Sequence, residues 1–174
     1  MKLDLTFLLE HENQTKEAEA FFDLSEITIG SSQVRKLAAD PLVLTFYNDE
    51  GKKLYVSGST KVTYQTVCDR CLTDTEVCVP VHISEEFEIA DDEILYDDEE
   101  GVACIEENHL DVDCLVKNEI LMNWPSKVLC KEDCKGICPV CGKNRNLEEC
   151  SCDTFVPDPR MAEALDVFKK FKEV

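Results

Sequence analysis

The sequence predicts an α+β protein: an N-terminal antiparallel β body with a long hairpin, one connecting helix, a cysteine-rich C-terminal segment and a short terminal helix. Three observations carry this reading. Apolar and polar residues alternate through Leu54–Val67, the period of a half-buried strand, and Leu42–Tyr47 and Thr75–Ile89 are further β-rich runs. Residues 111–124 (DVDCLVKNEILMNW) instead place Val112, Leu115, Val116, Ile120 and Trp124 on one helical face, between a capping Asp111 and a stopping Pro125. Six cysteines fall between Cys130 and Cys152, in a stretch too poor in apolar residues to fold by burial alone.

In chain order, residues 2–9 (KLDLTFLL) read as a strand, with Leu3, Leu5 and Phe7 alternating against Lys2, Asp4 and Thr6. Residues 15–22 (TKEAEAFF) fit a short helix or a strand equally well. Leu42–Tyr47 is a strand, and Asn48-Asp49-Glu50-Gly51 is a turn leading into the next. The arms Leu54–Val67 and Thr75–Ile89 form a long hairpin with Cys68-Asp69-Arg70-Cys71 at its tip. An acidic loop over 85–107 follows, then the helix. At the end, Asp158-Pro159 opens the last helix, whose stripe is Met161, Leu165 and Phe168. The domain reading is a β-rich body over 1–125 and a cysteine-rich segment with the terminal helix over 126–174.

Length and composition set the outer bounds. A chain of 174 residues with 44% apolar content can bury a sizeable core and is not globally disordered. It lacks the roughly 20 uninterrupted apolar residues of a membrane span, and Met1-Lys2-Leu3-Asp4-Leu5 lacks the apolar region of a secretory signal, so the expected location is cytoplasmic. The formal charge is −19. Residues 71–116 hold 16 acidic side chains and no Lys or Arg, while the rest of the chain sets 18 basic against 21 acidic. The densest part comprises Glu85, Glu86, Glu88, Asp91, Asp92, Glu93, Asp97, Asp98, Glu99 and Glu100. Such a run is either a solvated loop or a surface for a basic partner, such as a ribosomal protein. It repels a phosphate backbone, so contact with nucleic acid would fall to Lys127, Lys131, Lys135, Lys143 and Arg145 among the cysteines.

Eleven cysteines in a reducing compartment point to metal ligands or redox chemistry. The run Cys130-x3-Cys134-x3-Cys138-x2-Cys141-x8-Cys150-x-Cys152 has the character of zinc knuckles, in which a short turn aims two thiolates at one point. With Cys68 and Cys71 the count is eight, enough for two structural zinc sites. The favoured partition is Cys138, Cys141, Cys150 and Cys152 on one ion and Cys68, Cys71, Cys130 and Cys134 on the other, clamping the hairpin tip to the C-terminal segment. The rival partition puts Cys130, Cys134, Cys138 and Cys141 together. Cys68 and Cys71 also fit a dithiol redox pair with Arg70 lowering a thiol pKa, and four cysteines can carry an iron–sulfur cluster. Cys78, Cys104 and Cys114 have no paired spacing and read as buried small hydrophobes or bystanders. His11, His82 and His109 are scattered. No G-x-G-x-x-G, P-loop, G-x-S-x-G or H-E-x-x-H occurs, and a four-thiolate ion has no open position. The chain therefore reads as non-enzymatic, with no small-molecule substrate and no membrane partner.

Four pieces of the sequence resemble the YceD family, the large ribosomal RNA subunit accumulation proteins. They are Cys68-Asp69-Arg70-Cys71-Leu72 after a β-rich arm, Glu119-Ile120-Leu121-Met122-Asn123-Trp124-Pro125, the run from Cys130 to Asn144, and Asp158-Pro159-Arg160-Met161. The resemblance implies a non-enzymatic factor that supports accumulation of 23S rRNA and large-subunit biogenesis, with a ribosomal protein or rRNA as partner. Since other members keep the first pair and a later Cys/His pair, it also favours the shared site of Cys68, Cys71, Cys130 and Cys134. Beside it stand a thiol redox protein using Cys68 and Cys71, and a generic nucleic-acid-binding zinc module.

Overall fold

The structure, a computed structural model, describes residues 1–91, 93–95 and 104–153. These fall into two compact units: Met1–Asp69 with Thr73–Cys130, and Arg70–Leu72 with the chain from Lys131 onward. The first unit is mostly antiparallel β with two helices.

The organising element is the hairpin of β6 (Lys53–Val67) and β7 (Asp74–Ala90), paired from Lys53↔Glu88 to Val67↔Asp74. On its other edge β6 takes β5 (Leu42–Asp49) along its first half and β4 (Ser32–Ala39) along its second. Outside these lie β2 (Thr15–Ala20) beside β5 and β3 (Glu26–Ile29) beside β4; a short β8 (Glu93–Leu95) turns back on the end of β7. Seven strands thus make one sheet. A second, three-stranded sheet is ordered β1 (Lys2–Asp4), β10 (His109–Asp111), β9 (Ile105–Glu106).

Alternation decides which face is covered. Leu42, Leu44, Phe46, Leu54, Val56, Val62, Tyr64, Val79, Val81, Ile83 and Phe87 point one way and are buried. They share a core with Leu8 and Leu9 of α1 (Thr6–Leu9) and with Val112, Leu115, Val116 and Ile120 of α2 (Val112–Asn123). The opposite face carries Val43, Thr45, Tyr47, Ser57, Ser59, His82 and Ser84, exposed or partly so. At the three-residue β5–β6 loop Glu50 and Gly51 take left-handed φ of 50° and 66°, and Lys52 N–H donates to Asp49 O at 2.9 Å, closing the turn. The fully buried Asn48 holds this turn: its amide donates to Leu8 O at 2.7 Å and its carbonyl accepts from Gly51 N–H at 2.9 Å.

Among the described residues, the outer side of β7 is an edge outside Glu88–Ala90. Asp40 N–H donates to the carbonyl of Lys61, so the backbone groups of Lys61 face away from β7. Its partner Pro80 therefore turns its own nitrogen outward, where a missing N–H breaks no ladder bond.

Two expectations change here. Residues 2–9 are not one strand: β1 stops at Asp4 and α1 follows. Leu8 and Leu9 are neighbours and both buried, which a helical turn permits and one face of a strand does not. Within 85–107, Glu85–Ala90 and Glu93–Leu95 are strand, joined through Asp91 at φ 53°. Residues 15–20 resolve as strand, α2 stands where its periodicity placed it, and the terminal helix expected after Asp158 lies outside the described residues. Asp111 caps α2, its carboxylate accepting from Asp113 N–H at 3.0 Å and Cys114 N–H at 3.4 Å. Replacing it, Asp111→Ala, is expected to cost about 1 kcal/mol; an unchanged urea midpoint for the full-length protein would show that the cap contributes nothing.

Candidate metal centres

The described residues of the second unit have almost no apolar interior to fold around. Between Lys131 and Asp153 the buried side chains are Cys134 and Cys138, and the regular structure is one isolated bridge, Ile137↔Asn144. Tight turns do the positioning instead. Cys138 N–H donates to Lys143 O and Gly142 N–H to Cys138 O, both at 2.9 Å, which closes a knuckle around Cys138-Pro139-Val140-Cys141. Gly142 takes φ 73° at its end, a conformation that a side chain resists. Gly136 also has φ 73°, and a Cβ there would stand 3.0 Å from Arg70 O, so the chain can pass Arg70 closely only with glycine at 136. Ile137 N–H donates to that same Arg70 carbonyl at 3.0 Å, and Arg70 Nη1 donates to Cys134 O at 3.1 Å.

Eight of the eleven described cysteines gather as two groups of four: Cys138, Cys141, Cys150 and Cys152, and Cys68, Cys71, Cys130 and Cys134. Within each group the sulfurs lie within 4.8 Å of one another. In the first, Cys141 and Cys150, and Cys150 and Cys138, have Sγ···Sγ separations of 3.4 Å. Such spacing is too long for a disulfide and close to the edge of about 3.8 Å in a tetrahedron with metal–sulfur bonds of about 2.3 Å. The protonation pattern of these thiols has the same cause. Backbone N–H groups of Cys141 and Val140 pull Cys138 down to about 6. The neighbouring sulfurs of Cys150 and Cys141 push Cys152 up to about 12. Four sulfurs this close cannot all ionise unless a cation sits among them. The donor set thus fits a metal ion held by Cys138, Cys141, Cys150 and Cys152, with the amides of the knuckle supporting the thiolates.

The other group is positioned by local bonds of the same kind. Cys68 N–H donates to Thr73 O at 2.8 Å across the hairpin tip. Asp69 N–H donates to Val128 O at 2.9 Å, and Val128 N–H returns to Asp69 Oδ2 at 2.7 Å, which fixes the approach to Cys130. Asn146 Nδ2 donates to Cys134 Sγ at 3.3 Å and Lys135 N–H to Asn146 Oδ1 at 2.9 Å. Asn146 is a residue that sequence spacing did not single out. Its carboxamide stands two residues after Asn144, whose Oδ1 accepts from it in turn.

The acidic residues are distributed less simply. Glu86 and Glu88 are exposed on β7, as are Asp91 and Glu93 beyond it. Glu85 is not part of that surface: it sits opposite Val56, on the covered side, and is only partly exposed. Burial, and then Glu119 nearby, push its carboxyl above the usual 4.5. Its folded pKa is therefore above its unfolded one. Ionisation costs stability, a cost absent at low pH that grows as pH rises through that raised value. Glu85→Gln is expected to be neutral near about pH 4 and stabilising at neutral pH; equal effects at both pH values in urea titrations would contradict this. Asp92, Asp97, Asp98, Glu99 and Glu100 lie outside the described residues. Among the described cations, Lys131 pairs with Asp133 and Lys143 with Glu148, at 3.8 and 2.9 Å. His11 and His109 bond to Phe7 O and Glu107 O and join neither thiol group.

Cys104 and Cys114, read from sequence as buried small hydrophobes or bystanders, are joined as a disulfide. No helix among the described residues is long and apolar enough to cross a membrane.

The profile of the family described as "Large ribosomal RNA subunit accumulation protein YceD" matches residues 56–169, well over half of the chain. The chain belongs to the YceD family. The matched span of this YceD chain contains both four-thiol groups, the hairpin from Val56 onward and α2. Comparisons with curated proteins and with solved structures give no match. Membership ties the chain to accumulation of the large ribosomal RNA subunit, and the thiol groups give it two places that could hold a metal ion.

Proposed function

We propose that this YceD chain is a non-enzymatic, cytoplasmic factor that supports 23S rRNA accumulation during large-subunit biogenesis, carries two structural zinc ions, and meets a basic ribosomal protein through acidic side chains. The family match carries the process. Zinc is the ion best suited to four thiolates in a closed tetrahedron, and such a site offers no open position for hydrolysis. The same grouping supports Cys68 and Cys71 as ligands rather than a free redox dithiol.

The choice of a protein partner over rRNA rests on charge. Residues 131–153 hold four basic and five acidic side chains, two of the cations are already paired, and four thiolates on a divalent ion leave two further negative charges. A phosphate backbone gains little there. Exposed Glu86, Glu88, Asp91 and Glu93 suit a cationic protein surface.

The test is complementation in cells depleted of the chain, using wild type and a variant with Glu86→Gln, Glu88→Gln, Asp91→Asn and Glu93→Gln. The variant is expected to leave 23S rRNA low and to lose a ribosomal protein from pull-downs. Full rescue with every partner retained removes the acidic-surface reading. Normal 23S rRNA in the depleted cells themselves removes the ribosomal one.

A further inference from the structure

We propose that Cys104 and Cys114 are a reversible redox modification site, a dithiol–disulfide couple that works independently of the eight clustered thiols. The two stand ten positions apart, with none of the close spacing that marks a redox pair in sequence. The fold brings them together. Cys104 precedes β9; Glu107 and Asn108 turn the chain back with φ of 48° and 61°; β10 then runs into Asp111, the cap of α2. Asp111 N–H donates to Cys104 O at 2.7 Å, which ties the strand end to the helix start. Cys114 lies in the first turn of α2, and its Cα stands 5.5 Å from that of Cys104, within the span of a disulfide. Neither sulfur belongs to a four-thiol group.

The surroundings suit both oxidation states. Asn118, one helical turn beyond Cys114, directs its Nδ2 to Cys104 Sγ at 3.3 Å and to Cys114 Sγ at 4.0 Å. A carboxamide donor aimed at both sulfurs supports a thiolate on either when the bond is open. The accessibilities differ as exchange requires: Cys104 is buried at 6% exposure, whereas Cys114 is partly exposed. The co-reactant is a low-molecular-weight disulfide of the glutathione class. Cys114 thiolate attacks one of its sulfurs, forming a mixed disulfide and expelling one small thiolate. Cys104, losing its proton, attacks Cys114 Sγ, closes the protein disulfide and expels the second. The two protons of the protein dithiol end on the two small thiols, so the protein is oxidised by two electrons and the small disulfide is reduced by two. Excess small thiol runs the steps backwards.

The experiment equilibrates the full-length protein, as purified, at graded ratios of oxidised to reduced glutathione, then quenches, alkylates and maps each cysteine by mass spectrometry. Cys104 and Cys114 are expected to lose alkylation together, before any of the eight clustered thiols, and to regain it in dithiothreitol. In Cys104→Ser, which lacks the second nucleophile, Cys114 is expected to accumulate a glutathione adduct. The proposal is overturned if both cysteines stay alkylatable at every ratio, if their bond survives excess dithiothreitol in the folded protein, or if the clustered thiols oxidise first. Should Cys104→Ser fail to fold, the wild-type titration decides alone.

Discussion

Stripping metal from the full-length protein is expected to unfold residues 131–153 while the seven-stranded sheet keeps its cooperative transition. The reason is the near absence of any other source of order there. Two buried cysteines and one isolated bridge cannot offset the backbone entropy of fixing that stretch, about 1–2 kcal/mol per residue. Thiolate coordination supplies on the order of 10 kcal/mol per structural ion. Hydrogen exchange with and without a strong chelator reads the result directly. Amides such as Gly142 and Arg145, which donate to Cys138 O and Gly136 O, should lose their protection, and amides of β5 and β6 should keep theirs. Unchanged protection at 131–153 in demonstrably metal-free protein would sink the coordination account.

The second large effect is expected at Tyr64. Its side chain is fully buried in the core of the first unit, its ring meets Trp124 edge-on at 5.9 Å, and its hydroxyl donates to Leu24 O at 3.4 Å. Tyr64→Ala removes most of that packing and is expected to cost about 3–5 kcal/mol. Tyr64→Phe removes only the long hydrogen bond, for about 1 kcal/mol or less. The pair also separates at high pH. Burial pushes the phenol from 10.0 up to about 12. With the folded pKa above the unfolded one, stability is lost as pH rises through that interval. Tyr64→Phe should flatten this alkaline loss. Urea midpoints for the three proteins across the range measure both effects; a cost below about 1 kcal/mol for Tyr64→Ala would mean the core closes over the gap.

What could be read before folding depended on how local each signal is. β5, β6 and β7 alternate over many residues, and α2 combines a 3.6-residue stripe with Asp111 in front and Pro125 behind. β4 gives no such pattern: Val34 is its one buried residue, and pairing with β3 and β6 makes it a strand. The misread N-terminus could have been corrected from the adjacent Leu8 and Leu9. Glu85 was legible too, since it occupies the same strand phase as Ile83 and Phe87. The thiol groups could be assembled from sequence because each ligand pair is close in the chain. Cys104 and Cys114 could not, because a hairpin must form before they become neighbours.

The outward nitrogen of Pro80 bears on how these molecules behave in a crowd. A seventeen-residue strand whose outer rim is matched only at Glu88–Ala90 among the described residues could recruit the same strand of another copy. The ring withholds a donor from the middle of that rim, and Glu76 and Glu86 place carboxylates along its open part. A hairpin long enough to carry Cys68 at its tip thus has an outer rim that a second copy can extend only with a missing donor and facing carboxylates.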